Sequence, residues 1–71
     1  MSLIKIDPAK ARAKQERKIR DERDQLLASS DWTQVADAPV DQSAWAEYRQ
    51  ALRDVPSQKG FPNSIVWPDK P

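Results

Sequence analysis

The chain has 71 residues and a formal net charge of +1, and it contains no Cys and no His. These absences exclude disulfides, Cys/His zinc sites, thiol nucleophiles and histidine general bases, so an ordinary enzyme is not expected. Leu, Ile, Val and Phe supply 13 of the 71 residues, which is close to the roughly 20% below which disorder competes with folding. The composition predicts one small domain over residues 1–71, with no enzyme activity, no cofactor and no metal site.

Charge is unevenly distributed along the chain. Residues 1–30 contain eight Lys and Arg against five Asp and Glu, whereas residues 31–71 contain four against six. No stretch approaches the ~20 apolar residues that span a bilayer, and no apolar run near Met1 resembles a secretory signal. We therefore expect no membrane partner. Residues 1–7 are expected to form a flexible N-terminus, of which residues 1–3 could derive from cloning.

A long helix is predicted over residues 8–29. Asp7 can cap the first free N–H groups, and Pro8 at the first helical position loses no needed donor. The following residues up to Ser29 include no Gly and no Pro and are rich in Ala, Lys, Arg, Glu, Gln and Leu, which favour helices. The apolar stripe is strong only in the last turns of this helix. Three spacings allow i,i+4 ion pairs: Glu16/Arg20, Arg17/Asp21 and Arg20/Asp24.

A second helix is predicted over about residues 42–54. Asp41 or Ser43 can cap it, and Pro56 stops it. Its apolar residues fall within about 120° of arc on the helical wheel, so this face is expected to be buried. The residues on this face are Ala44, Trp45, Tyr48, Ala51, Leu52 and Val55.

The last segment, residues 56–71, contains four of the six prolines and the one Gly of the chain, which excludes regular helix. Ile65, Val66 and Trp67 lie between Pro62 and Pro68 and suit an extended strap laid across the helices. The sequence therefore predicts an all-α fold. Its two helices form an antiparallel helical hairpin, and an extended proline-rich C-terminal tail packs on that hairpin.

Basic residues dominate the first half of the predicted long helix. A basic helix can track phosphates, so a small nucleic-acid-binding protein is one interpretation. No aromatic residue is interleaved for base stacking, and the acids at positions 21, 22 and 24 can partner the positive charges, so nucleic acid is the less favoured partner. Steering of an acidic protein partner is the other interpretation. The residues predicted to bind a partner are Lys10, Lys14, Arg17, Lys18 and Trp67.

The three tryptophans are dense for so short a chain, and Trp anchors either cores or interfaces. We assign Trp32 and Trp45 to the core, whereas Trp67 could dock on its own helices or on another protein. No catalytic residue is predicted, because the acids at positions 21–24 lie among arginines and the serines near position 30 lack a base. The predicted core and motif residues are Leu26, Leu27, Trp32, Trp45, Tyr48, Leu52 and Val55.

Three strings taken together resemble a known family. They are R-x-x-R-D-x-L-L-x-x-x-D-W-T-Q at residues 20–34, W-x-x-Y-R-Q-x-L-R-D-x-P at residues 45–56 and F-P-x-x-I-x-W-P at residues 61–68. In order, spacing and aromatic identity they resemble the phage tail assembly chaperone family of tailed bacteriophages and prophages. The resemblance covers about residues 17–68.

This resemblance implies a non-enzymatic protein that helps to assemble the phage tail in the bacterial host cytoplasm. It also implies that a phage tail protein, such as the tape-measure protein, is the partner. Homo-oligomerisation is left open, and a structural subunit retained in the finished tail is an alternative. Residues 5–18 lie largely outside the resemblance, so the family says little about the basic part of the first helix.

Overall fold

The computed structural model describes residues 7–71. The first helix, α1, spans Pro8–Ser29. The Asp7 carboxylate accepts a hydrogen bond from the Ala9 N–H at 2.9 Å, and Pro8 occupies the first helical position, where a missing N–H costs nothing. Both the predicted bounds of this helix and its N-terminal cap are confirmed.

The second helix, α2, spans Gln42–Arg53, one residue shorter than predicted. Of the two predicted caps, the structure selects Asp41, whose carboxylate accepts a hydrogen bond from the Ala44 N–H at 3.1 Å. The helix ends at Asp54, and Val55–Ser57 follow as a short 3-10 helix with Pro56 inside it. Proline is compatible with this position because the first turn of a helix uses few of its N–H groups.

The connection between the two helices is itself structured. Asp31–Gln34 form a 3-10 helix directly after α1, and the buried Thr33 hydroxyl donates to the Ser30 carbonyl at 2.6 Å. The Gln34 side-chain amide donates to the Gln42 carbonyl at 3.3 Å, while the Gln42 amide donates to the Val35 carbonyl. These bonds tie the start of α2 to the 3-10 helix that follows α1.

The C-terminal segment differs from the predicted extended tail. Residues 55–64 form a succession of turns, and only residues 65–71 are without regular structure. The turns close because the Ser64 N–H donates to the Gly60 carbonyl at 2.8 Å. A Cβ atom at Gly60 would collide with the Ser64 carbonyl oxygen, so this close backbone approach requires glycine.

A side chain, not a second strand, holds residue 66 in place. The Gln58 amide donates to the Val66 carbonyl at 2.8 Å and accepts from the Val66 N–H at 2.8 Å. One glutamine thereby satisfies both backbone groups of Val66, as a neighbouring strand would. The Val66 side chain remains 76% exposed.

The core is small and draws on both α-helices, both 3-10 helices and the C-terminal turns. Leu52 and Val55 are fully buried, and each of the other segments adds one or two more side chains. The buried set is Ile19, Ser30, Thr33, Tyr48, Leu52, Val55 and Pro62. The predicted apolar face of α2 is confirmed, because all of its members are buried or half-buried.

Over residues 7–71 the fold is all-helical, with two α-helices and no strand. None of the described helices is long and apolar enough to cross a membrane.

Replacing Leu52 with Ala tests this core. The side chain is 0% exposed, so its truncation leaves a cavity and is expected to lower the free energy of unfolding by about 2–5 kcal/mol. Val66→Ala is the matched control, since it also shortens an aliphatic side chain but at an exposed position, with an expected change within about 0.5 kcal/mol. Urea denaturation followed by circular dichroism measures both, and equal midpoints for the two variants would contradict the assignment.

Candidate partner-binding surfaces

Arg49 of α2 reaches across to the C-terminal end of α1. Its Nη1 donates to the Leu27 carbonyl at 2.6 Å and to the Ser30 hydroxyl at 2.7 Å, and its Nη2 donates to the Asp31 carboxylate at 2.7 Å. The Ser30 hydroxyl in turn donates to the Leu26 carbonyl at 2.8 Å. We call this group, Arg49 with Leu27, Ser30 and Asp31, the arginine clamp.

The arginine clamp supplies a cationic donor to the C-terminal end of α1, which has no basic residue there. The last turn of α1 contains no basic residue, and none of the described residues has a positive φ, so the left-handed glycine cap common at helix ends is absent. The last carbonyl groups of a helix have no partner within the helix and carry partial negative charge. A guanidinium from α2 satisfies one of these carbonyls and places positive charge where the helix dipole favours it.

The arginine of the clamp is largely shielded from solvent, and its contacts depend on the shape of the guanidinium. The Arg49 side chain is only 13% exposed, whereas its partner Asp31 remains 67% exposed. The planar guanidinium donates to three groups from two nitrogens in a fixed fork, a geometry that the single nitrogen of Lys does not reproduce. Arg49 lies outside the apolar face that the sequence predicts for α2. The signal that could have indicated its role is the absence of a glycine and of a basic residue at the end of α1.

Three aromatic side chains form a cluster beside the clamp. The Trp32 and Trp45 rings lie 6.3 Å apart between centroids, at an angle of 51°, and Trp45 meets Tyr48 edge-to-face at 5.6 Å. Both distances lie within the range in which aromatic pairs attract each other. Tyr48 is buried, Trp45 is half-buried and Trp32 is 51% exposed, so the cluster runs from the core to the surface.

The prediction that Trp32 is a core residue is therefore wrong. Trp32 lies in the four-residue 3-10 helix outside α1 and α2, and about half of it stays exposed although its ring lies 6.3 Å from that of Trp45. Val35, just beyond this 3-10 helix, is also 51% exposed. Leu26 and Leu27 are half-buried. Of the predicted core residues, Tyr48, Leu52 and Val55 are buried.

The first half of α1 presents its charges to solvent. Between residues 7 and 18 every residue is exposed except the half-buried Glu16. We call residues 8–18 the basic arm; it contains Lys10, Arg12, Lys14, Arg17 and Lys18 against the single acid Glu16. None of the three predicted i,i+4 ion pairs forms: the described ion pairs are Arg23–Asp24 at 2.9 Å and Arg49–Asp31 at 2.7 Å. The basic arm is therefore not neutralised by direct ion pairs.

The C-terminal segment lies along the middle of α1. The Arg20 guanidinium carbon lies 5.3 Å from the centroid of the Phe61 ring, a cation–π contact. A groove of about 400 Å³ is lined on one side by Lys18, Ile19 and Glu22 and on the other by Ile65 and Trp67, among others.

The residues predicted to bind a partner are divided between one face of α1 and the C-terminal groove. Lys14, Arg17 and Lys18 lie on one face of α1 together with Asp21 and Glu22. Trp67 is half-buried and lies in the groove with Lys18, whereas Lys10 lines neither place. Lys18 therefore connects the basic arm to the C-terminal groove. Within residues 7–71 no group of three or more Asp or Glu could hold a metal ion.

The sequence profile of the phage tail assembly chaperone protein family matches residues 16–71, about four-fifths of the chain. The chain belongs to this family. The match contains the whole clamp, the aromatic cluster and all of the C-terminal groove except Gln15, and it begins inside the basic arm. In this tail assembly chaperone family member, the match therefore covers the part of the chain that packs around the core. Most of the basic arm precedes the match. Neither the curated proteins nor the solved structures compared with the chain provide a match.

Replacing Arg49 with Lys tests the clamp. The substitution keeps the charge but loses the planar guanidinium, so one or more of the charge-assisted hydrogen bonds to Leu27, Ser30 and Asp31 is lost, and the free energy of unfolding is expected to fall by about 1–3 kcal/mol. Arg53→Lys is the matched control on the same helix. Arg53 is exposed and bonds only to the neighbouring Gln50 side chain, so its change is expected to stay within about 0.5 kcal/mol. Urea titration measures both, and equal losses would rule out a special role for Arg49.

Proposed function

We propose that this protein binds a phage tail component during tail assembly and performs no catalysis, with the tape-measure protein as the first partner to test. Membership of the tail assembly chaperone family carries the assembly role. The observation that supports a binding mechanism is the exposed basic arm, whose charges form no direct ion pairs with acids of its own chain.

In this proposal the part of the chain that packs around the core fixes the basic arm in position. The two helices work as an antiparallel hairpin, joined by the arginine clamp, and residues 56–71 act as a strap against α1. The domain then spans residues 1–71. Because α1 is continuous from Pro8 to Ser29, fixing its C-terminal end also fixes the direction in which the arm projects.

The arm is suited to an acidic helical partner. Lys10, Lys14 and Arg17 recur at helical spacing, and Lys18 adjoins them, so one face can pair with a row of carboxylates. Exposed charges of this kind raise the rate of encounter more than the affinity. Trp67 and Ile65 beside Lys18 add an apolar contact where the partner passes the groove. The binding that results is reversible, as assembly requires.

The place of action in this proposal is the cytoplasm of the bacterial host, where tail proteins are made. Release of the protein before the tail is complete distinguishes a chaperone from a structural subunit. Mass spectrometry of purified particles tests this point. Absence of the chain from finished tails supports the chaperone role, and stoichiometric presence would assign it to the tail structure instead.

Co-expression with the neighbouring tail genes tests the proposed binding. An affinity-tagged full-length chain is expected to capture a tail protein at low salt and to release it as salt rises, because the contact is between exposed charges. Lys10→Glu/Lys14→Glu is expected to weaken capture at least about tenfold. Glu favours helix about as well as Lys does, and position 10 lies in the first turn of α1, where the helix dipole favours an acid, so loss of capture would not result from loss of the helix.

Lys59→Glu/Lys70→Glu is the matched control. It changes the net charge by the same amount at exposed positions outside α1, and it is expected to leave capture intact. Equal loss in both variants would show that only net charge matters, and a wild-type chain that captures no tail protein would overturn the proposal. Capture of nucleic acid without tail protein would favour the alternative of a basic nucleic-acid-binding helix.

A further inference from the structure

We propose that this protein associates with itself head to tail: the basic arm of one copy docks on an acidic, aromatic surface at the connection between α1 and α2 of the next. This surface, which we call the acidic connector, consists of residues 31–41. The inference does not depend on the proposed tail partner, because it concerns the purified chain alone.

The acidic connector combines negative charge with exposed apolar side chains. From Asp24 to Tyr48 the chain has no Lys and no Arg. The connector itself carries Asp31, Asp37 and Asp41, all of them exposed. Asp31 pairs with Arg49 at 2.7 Å, so Asp37 and Asp41 supply the negative charge that no described ion pair neutralises. Between these acids Trp32 and Val35 are each 51% exposed. Exposed apolar side chains interspersed with carboxylates along the connector are the counterpart of a segment whose long side chains end in positive charge.

The basic arm has the complementary chemistry. It carries five basic residues against one acid, and its alanines at positions 9, 11 and 13 allow a close approach. The aliphatic stems of Lys and Arg can cover Trp32 while their charged ends reach the surrounding carboxylates. The chain already contains one contact of this type, since Arg20 lies over the Phe61 ring at 5.3 Å.

Geometry prevents the arm from reaching the connector of its own molecule. The connector follows the C-terminal end of α1, and Lys10 lies 19 residues before that end, a distance of about 28 Å along a continuous helix. Charges separated by more than about 8 Å in physiological salt are largely screened from one another. The two surfaces can therefore neutralise each other only between molecules. Because the surfaces differ, the contact is heterologous, and it continues from copy to copy.

Sedimentation measurements on the purified full-length chain test the inference. The average mass is expected to rise with protein concentration in about 0.01 M salt and to fall to that of a monomer in about 1 M salt, where the Debye length shrinks from about 30 Å to about 3 Å. A chain that stays monomeric at every concentration in low salt would overturn the inference.

Two variants with complementary defects test the head-to-tail arrangement. Lys10→Glu/Lys14→Glu removes the charge of the arm, and Ala36→Lys/Asp37→Lys removes that of the connector at two exposed residues whose side chains make no hydrogen bond. Each variant alone is expected to self-associate at least about tenfold more weakly than the wild type. A mixture of the two is expected to form dimers that grow no further, since one intact arm meets one intact connector.

The controls separate this inference from simpler ones. Lys59→Glu/Lys70→Glu is expected to associate like the wild type, and circular dichroism is expected to show the same helix content in all variants. A mixture that fails to form dimers would rule out the head-to-tail contact, and so would an arm variant that still associates by itself. Self-association without capture of a tail protein would refute the proposed function alone, whereas capture by a strictly monomeric chain would refute this inference alone.

Discussion

The contact of Arg49 with the end of α1 is the interaction on which the rest of the structure depends. The guanidinium is nearly buried and bonds to a helix carbonyl, a buried hydroxyl and a carboxylate. The last turn of α1 has no basic residue of its own, and its Leu26 and Leu27 carbonyls otherwise accept hydrogen bonds from the adjacent Ser29 and Ser30. With the Arg49 contact, α2 is fixed to α1 at a defined position, and the apolar faces of both helices have a common core to enclose. A polar contact thus sets the register in which a small apolar core can form.

This constraint also explains how the chain can expose half of its longest helix. The buried residues begin at Ile19, and the C-terminal turns, held by Gly60 and by the pairing of Gln58 with Val66, lie against the middle of α1. The first turns of α1 contribute no buried side chain. They persist as helix because their residues favour it and because the rest of the same helix is fixed. The part of the chain that packs around the core and the basic arm therefore have separate roles, and the family match covers chiefly the former.

The elements followed from the sequence with little error because their signals are local. Asp7–Pro8 and Asp41 begin helices through side chains that lie within three residues of the N–H groups they satisfy. The burial of Tyr48, Leu52 and Val55 followed from helical spacing alone. Trp32 was misplaced because its size suggested a core position, whereas its burial depends on whether a neighbour covers its second face. The three ion pairs that spacing allows within α1 do not form, for a related reason. Helical spacing brings the two side chains close, but exposed side chains gain little free energy by pairing.

What the sequence by itself determined is where the helices begin and end, which face of α2 is apolar, and, through three spaced motifs, the family. Each of these depends on residues that are close in the chain or on a pattern that can be read along it. Only the tertiary structure decided that Arg49 caps α1, that Trp32 and Val35 are exposed, and that Trp67 and Lys18 share a groove. Each of these depends on groups far apart in the chain, such as Arg49 and Leu27, which are 22 positions apart. No local pattern encodes such a contact, because it exists only once packing has brought the two segments together.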